Sequence, residues 1–137
     1  MSAQDERNRL IIEEFRSHDG QVGGRFANMP LLLLHTRGAR SGQPRVNPVA
    51  YSTDGERLVI AASKSGGPTN PDWYYNLLAN PLVEVEVGTA KFQARASVAV
   101  EPERSRLYAR HAAAMPAFAD YERRTERVIP VILLERM

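Results

Sequence analysis

Leu10, Ile11, Phe15 and His18 recur at near-helical spacing and the segment stops at Gly20, which predicts a short amphipathic helix over 1–20. Its apolar face is narrow. A lid over one end of the core is the plain expectation. A membrane-surface or substrate-gating helix is the alternative, weakened by Glu13, Glu14 and Asp19 on the polar face. From Leu31 the period changes. Residues 31–36, 45–53 and 58–63 read as strands, with a Gly-rich turn after the first and an Asp54-Gly55 hairpin turn between the other two. Asn70 as N-cap and Pro71 in the first turn open a helix through Leu78 that closes near Asn80-Pro81. Val83, Val85 and Val87 alternate with Glu84 and Glu86, turn at Gly88-Thr89, and pair with residues 91–100 through Phe92, Ala94, Ala96 and Val98. Pro102 opens a helix through Leu107, Tyr108 and His111, Pro116 breaks it, a shorter piece carries Phe118 and Tyr121, and residues 128–134 make a last apolar strand. Short strands in antiparallel hairpins, with helices inserted late and one in front, predict an α+β small barrel rather than a doubly wound sheet.

The length of 137 residues and the 43% hydrophobic content suit one domain with one core. It is expected to span 1–137, with the helix at 1–20 and the barrel at 30–137. The absence of cysteine excludes a disulfide scaffold, thiolate zinc, cysteine-ligated iron-sulfur clusters and a cysteine nucleophile. No metal site is expected. The formal charge is +2, and Lys64 and Lys91 are the only lysines. An arginine-heavy chain suits an anionic ligand that a planar fork can grip, although a GC-rich genome would write the same bias. No cationic flank followed by an apolar stretch opens the chain, and the apolar run 31–34 is far shorter than the roughly 20 residues a membrane span needs. A cytoplasmic protein is the expectation.

Three segments carry candidate chemistry. In residues 36–45, glycines Gly38 and Gly42 free the backbone while Arg37, Arg40, Arg45 and the Ser41 hydroxyl surround it, the makings of a phosphate or carboxylate cradle. A solvated basic hairpin tip is the alternative. Ser63-Lys64-Ser65-Gly66-Gly67-Pro68 follows an apolar strand but lacks the spacing of a nucleoside-triphosphate loop, which leaves a flexible anion-binding loop. Trp73, Tyr74 and Tyr75 cannot all face the core from one helix, since successive residues point about 100° apart. His18, His35 and His111 show no paired spacing and read as surface or satisfied histidines, and Glu84 with Glu86 as a solvated stripe.

The segments together are more specific than any alone. Thr36-Arg37-Gly38-Ala39-Arg40-Ser41-Gly42-Gln43-Pro44-Arg45, Asn47-Pro48-Val49-Ala50-Tyr51, Ala62-Ser63-Lys64-Ser65-Gly66-Gly67, Asn70-Pro71-Asp72-Trp73-Tyr74-Tyr75-Asn76-Leu77, Ala79-Asn80-Pro81 and Arg127-Val128-Ile129-Pro130-Val131 stand in this order. In order and spacing, across nearly the whole chain, the sequence resembles the deazaflavin-dependent nitroreductase family of actinobacteria. The resemblance implies a split β-barrel related to flavin-mononucleotide-binding oxidoreductases. It also implies coenzyme F420, whose reduced form F420H2 would give a hydride to a quinone, a nitroaromatic or an activated enone.

Carried over residue by residue, the resemblance places coenzyme contacts on Ala39, Arg40 and Ser41 at the phosphate end and on Arg45, Val46, Asn47, Pro48, Val49 and Ala50 along a strand. Further contacts fall on Ala61, Ala62, Ser63 and Lys64, and on Asp72, Trp73, Tyr74, Tyr75 and Asn76. On the acceptor side it points to Ser63 and Tyr121 as the catalytic pair. The chain departs from the family pattern at four places. Arg40 stands where lysine is common, Ala39 where a second basic residue is frequent, and Met115 and Phe118 where the nitroimidazole-reducing members have tyrosines. Fewer hydroxyls imply a preference for quinones or other apolar acceptors. Expected partners are a small-molecule acceptor and no nucleic acid, with peripheral contact at the inner face of the plasma membrane left open and a monomer or weak homodimer as the assembly. The rival readings are a flavin-mononucleotide- or haem-binding barrel and a non-enzymatic anion-binding module.

Overall fold

The computed structural model describes residues 3–26 and 29–137; the first two residues of the expected 1–20 helix lie outside them. The chain runs α1 (Ala3–Ser17), β1 (Leu31–Arg37), β2 (Pro44–Ala50), β3 (Ser52–Asp54), β4 (Arg57–Ala61), α2 (Asp72–Ala79), β5 (Leu82–Val87), β6 (Ala90–Val98), α3 (Glu103–Ala114), α4 (Ala117–Arg124) and β7 (Val131–Arg136). All strand pairs are antiparallel, in a seven-stranded sheet of order β2-β1-β5-β6-β7-β4-β3. The sheet curls into a half-barrel with α1, α3 and α4 on its outside and α2 across one end, the α+β split-barrel architecture expected from the sequence.

Curling is visible in the core. Val49 from edge strand β2 and Ile60 from β4, near the other edge, belong to one buried cluster with Leu32, Leu34, Val83, Val85, Ala94, Ala96, Ile132 and Leu134. Trp73 and Leu77 from α2 close that interior at one end. The odd-numbered residues Leu31 and Leu33 point outward, to Phe15 of α1 and Val22. Both faces of β1 are therefore buried, which is why its sequence is an unbroken leucine run instead of an alternation. On the other flank Val59, Ala61, Val131 and Leu133 face Leu107, Tyr108, Met115 and Phe118 of the α3–α4 layer.

The structure corrects several sequence expectations. Residues 45–53 are not one strand. The ladder breaks at Tyr51, whose N–H bonds to the Pro30 carbonyl at 3.0 Å, and β2 and β3 lie at opposite edges of the sheet. Residues 45–53 form one unbroken β-rich run with no Gly at the corner, so the sequence carries no punctuation that marks the partner switch. Asn70 is not an N-cap. Pro71 takes that place without a side-chain cap, while Asn70 accepts from Arg127 and donates to the Tyr75 hydroxyl. Leu10 is 52% exposed, with Ile11, Ile12 and Phe15 forming the buried face. Glu84 and Glu86 are not a solvated stripe. Glu86 takes an ion pair from Arg16 of α1 at 2.8 Å and contacts His35 Nε2 at 2.6 Å, and Glu84 pairs with Lys91 at 3.2 Å. Hydrogen bonds from Arg16 and then His35 hold the Glu86 carboxyl below the usual range. The last strand begins at Val131, three residues later than expected.

Candidate functional site

Strand register fixes which loops meet. β1 ends at Arg37 opposite Pro44, β4 ends at Ala61 opposite Val131, where β7 begins, and β5 starts at Leu82 beside the far end of β6. The β1–β2 hairpin tip, the loop after β4, helix α2 and the segment before β7 thus share one end of the half-barrel.

The hairpin tip is a closed turn, with Gly38 N–H on Gln43 O at 2.8 Å and Gly42 N–H on Gly38 O at 2.9 Å. Gly42 sits at φ +69, and a Cβ on Gly38 would run into the Ser41 hydroxyl. That hydroxyl accepts from the Gln43 N–H at 3.2 Å, which leaves its own proton free to donate. Arg40 and Arg45 are exposed. Arg37, Arg40 and Arg45 have no carboxylate partner among the described residues. The tip is docked on α2 by the buried Asn76. Its Oδ1 accepts from the Ala39 N–H at 2.9 Å and its Nδ2 donates to Thr36 Oγ1 at 3.1 Å.

Along β2 the side chains divide between faces. Val49 points into the barrel, while Val46 and Ala50 pack toward α1; Asn47 and Pro48 are half-buried. Ala61 and Ala62 are buried at 4% and 0%, so a ligand at this edge would meet main chain before methyl groups. On α2, Asp72 is exposed, Trp73 is buried, Tyr74 is half-buried, and Tyr75 is exposed with its ring edge-on to Tyr74 at 5.3 Å. The helical step of about 100° imposes that division.

The loop after β4 has the most unusual backbone. Ser63, buried at 6%, is right-handed at φ −80 and ψ −33, and Ser65 is left-handed at φ 55 and ψ 33; Lys64 and Gly66 hold φ of 48 and 80. A right-handed residue followed by a left-handed one turns successive N–H groups toward a common point, the concavity that binds anions. Gly66 and Gly67 donate back to the Ser63 and Lys64 carbonyls, both at 3.0 Å. Lys64 Nζ donates to Thr69 Oγ1 at 3.2 Å and has no carboxylate partner among the described residues. A Cβ on Gly66 would come within 2.9 Å of Arg124 Cβ and 3.0 Å of the Tyr121 carbonyl. The loop therefore rests on α4, and Ser63 and Tyr121 stand on the two sides of that contact. Tyr121 stacks edge-on to Phe118 at 5.2 Å, and Phe118 to His111 at 4.3 Å.

Two residues escaped functional notice in the sequence. Arg127 spreads its guanidinium over Gly67 O, Asn70 Oδ1, Ala62 O and Ser63 O at 2.6–3.1 Å; in the sequence it heads the segment 127–131 that carries part of the resemblance, with no role attached to it. His111, fully buried on α3, contacts Ser52 Oγ through Nδ1 at 2.6 Å and leaves Nε2 without a partner. Burial pushes its pKa down to about 4. Among the described residues no cluster of His, Asp and Glu could hold a metal. A cleft of about 380 Å³ lined by Asp19, Gly20, Gln21, Met29, Leu31 and Tyr51, among others, opens at the opposite end of β1 and includes none of the candidate contacts.

Cations without carboxylate partners among the described residues, a backbone concavity, the free Ser41 hydroxyl proton and an aromatic helix at one barrel end form a donor set suited to a flat, anionic ligand. The F420H(2)-dependent quinone reductase family matches residues 7–136. The F420H(2)-dependent quinone reductase Rv1261c of Mycobacterium tuberculosis is 40% identical over 132 residues, which cover 93% of this chain and 89% of that protein. Among solved structures, an F420-H2 dependent reductase (FDR-A) is 34% identical with a TM-score of 0.71, over 77% of this chain and 94% of its own. Another, described as a domain-swapped dimer, is 31% identical with a TM-score of 0.73, over 98% of this chain and 100% of its own.

Proposed function

The chain belongs to the F420H(2)-dependent quinone reductase family, and we propose from that premise that its cationic barrel end seats F420H2 for hydride transfer to a quinone. It is an oxidoreductase whose coenzyme is the reduced deazaflavin. When bound, that coenzyme supplies a hydride; with one proton from the protein or solvent, the quinone becomes a hydroquinone. The chain's own residues have the remaining work of binding, orientation and proton supply. Arg40, Arg45 and Lys64 neutralise the anionic portion, and the N–H groups around Ser63 and Lys64 grip it directionally. Tyr74 and Tyr75 offer aromatic surface on the exposed side of α2.

Ser63 and Tyr121 supply the hydroxyls on the acceptor side, where they orient the acceptor carbonyl and stabilise the charge that grows on its oxygen. Met115 and Phe118, where a wall richer in hydroxyls would have tyrosines, are packed in the core beneath Tyr121 and add no hydroxyl to that side, which favours quinones over bicyclic nitroimidazoles; nitroaromatics and enones are secondary acceptors in this reading. The observation that carries the proposal is that cations without carboxylate partners among the described residues lie at the barrel end that also holds the left-handed loop. The domain-swapped relative supports a homodimer over a monomer, which light scattering on purified protein checks. No helix among the described residues is long and apolar enough to cross a membrane. Peripheral contact rests on the exposed Leu10 alone and is tested by sedimentation with anionic vesicles.

The deciding test is a fluorescence titration of Trp73 with F420, run in parallel with flavin mononucleotide. Selective F420 binding with a Kd of about 1 μM or below is expected, followed by F420H2 oxidation that requires a quinone. Binding of the flavin alone would move the protein to the flavin-binding barrels.

A further inference from the structure

The loop after β4 holds Lys64, Ser65 and Gly66 at positive φ in succession, 48, 55 and 80. The left-handed region is disfavoured for residues with a Cβ, so Lys64 and Ser65 stay there only because their surroundings over-determine the backbone. The loop's own bonds, Gly66 to Ser63 and Gly67 to Lys64, tighten the turn without fixing it to the barrel. Arg127 does fix it. Nη2 donates to the Ala62 carbonyl at 3.1 Å and the Ser63 carbonyl at 2.8 Å, ahead of the left-handed residues. Behind them, Nε donates to the Gly67 carbonyl at 3.1 Å and Nη1 to Asn70 Oδ1 at 2.6 Å. One planar cation thus ties both ends of the strained segment together.

A second observation separates this role from ligand binding. Four of the five guanidinium N–H groups are committed to these acceptors, so Arg127 cannot offer a bidentate fork to a phosphate or carboxylate. It also pairs with no carboxylate among the described residues, so main-chain and amide oxygens alone satisfy its charge.

We propose that Arg127 is the positioning residue of the coenzyme loop: it holds Ser63 and Lys64 in their binding conformation without touching the coenzyme. This rests on the functional reading above. Arg127 follows α4, and Tyr121 and Arg124 of that helix are the residues on which Gly66 rests. The acceptor wall and the coenzyme loop are thereby joined into one unit.

Arg127→Lys keeps the charge but lacks the fork, and Ser65→Gly removes the conformational penalty at the left-handed position. Two readouts are compared across wild type, each single variant and the double variant: F420 affinity, and amide hydrogen exchange at Gly66 and Gly67 without coenzyme. Arg127→Lys is expected to weaken F420 binding about tenfold or more and to speed exchange at both glycines, with the overall fold retained by circular dichroism. The affinity ratio of the double variant to Arg127→Lys is expected to exceed that of Ser65→Gly to wild type, so that Ser65→Gly restores part of what Arg127→Lys loses. An Arg127→Lys variant that binds and exchanges like wild type overturns the proposal. So does a loss of affinity that Ser65→Gly leaves untouched, since Arg127 would then act by direct contact. Failure of the wild type to bind F420 would sink the functional reading instead, while the exchange measurement would still decide the clamp.

Discussion

His111 has no solvent exposure, touches Ser52 Oγ with Nδ1 at 2.6 Å, and leaves Nε2 unpartnered against the edge-on ring of Phe118. Burial disfavours its charged form and lowers its pKa from 6.5 to about 4. The unfolded chain therefore takes up this proton near pH 6.5 and the folded chain only near pH 4. Across that window the unfolded state binds more protons, so stability is fully present above pH 6.5 and falls as the pH drops toward 4. The loss amounts to roughly 3 kcal/mol for one such group. Urea unfolding at pH 7.0 and 4.5 should show most of it in wild type, and His111→Leu should flatten the difference. Glu86 does not blur the result. Its carboxyl pKa is lowered chiefly by the Arg16 hydrogen bond, so its contribution holds above the ordinary carboxylate range and disappears only on further acidification. A wild-type curve that is flat between the two pH values would remove the buried neutral histidine from the account.

At the level of elements, the contact between the coenzyme loop and α4 depends on the missing side chain of Gly66. Gly66 and Gly55 both have positive φ, 80 and 64, but a Cβ meets Arg124 and Tyr121 at the former and nothing within 4 Å at the latter. Alanine at either site carries the left-handed penalty of about 1–2 kcal/mol. Gly66→Ala should cost about 1–2 kcal/mol more by pushing the loop off α4, and the difference in Tm between the two variants measures that contact. Most elements could be read from the sequence because each buries one regular face: the alternating β5–β6 hairpin, the Asp54-Gly55 turn, the Pro-bounded α3 and α4. What stayed hidden depends on partners distant in the chain. The turn at Tyr51 separates β2 from β3 inside one continuous β-rich run, Asn70 gives up its capping role to a guanidinium 57 residues away, and Glu86 is claimed by Arg16 70 residues earlier. The candidate site divides in the same way. Its exposed cations and glycines were legible as a basic, flexible segment, and Asn76 and Arg127 as members of the resemblance segments, whereas their clamping bonds to distant main-chain and side-chain atoms could not be read from the sequence.

Over the whole molecule a formal charge of +2 gives little hint of the field at the barrel end. Several acids are engaged away from that end: Glu6 and Glu13 on Arg9, Glu84 on Lys91, Glu86 on Arg16 and His35, Asp54 on Arg57, Arg106 and Arg110, Asp120 on Arg123. Among the described residues Arg37, Arg40, Arg45 and Lys64 have no such partner, and the register brings them to one end. A nearly neutral protein thus presents a locally cationic surface to an anionic coenzyme, the arrangement that speeds encounter more than it tightens the final complex. Because exposed charges are screened over about 10 Å at 0.1 M salt, stopped-flow association of F420 should slow several-fold between 20 mM and 500 mM salt, while dissociation changes less. Arg40→Ala should flatten the salt dependence of association and leave the unfolding midpoint in place, since the side chain is exposed and holds no other element. If Arg40→Ala instead raised dissociation and kept the salt slope, Arg40 would be a contact made only in the bound complex. The steering field would then have to come from Arg37, Arg45 and Lys64.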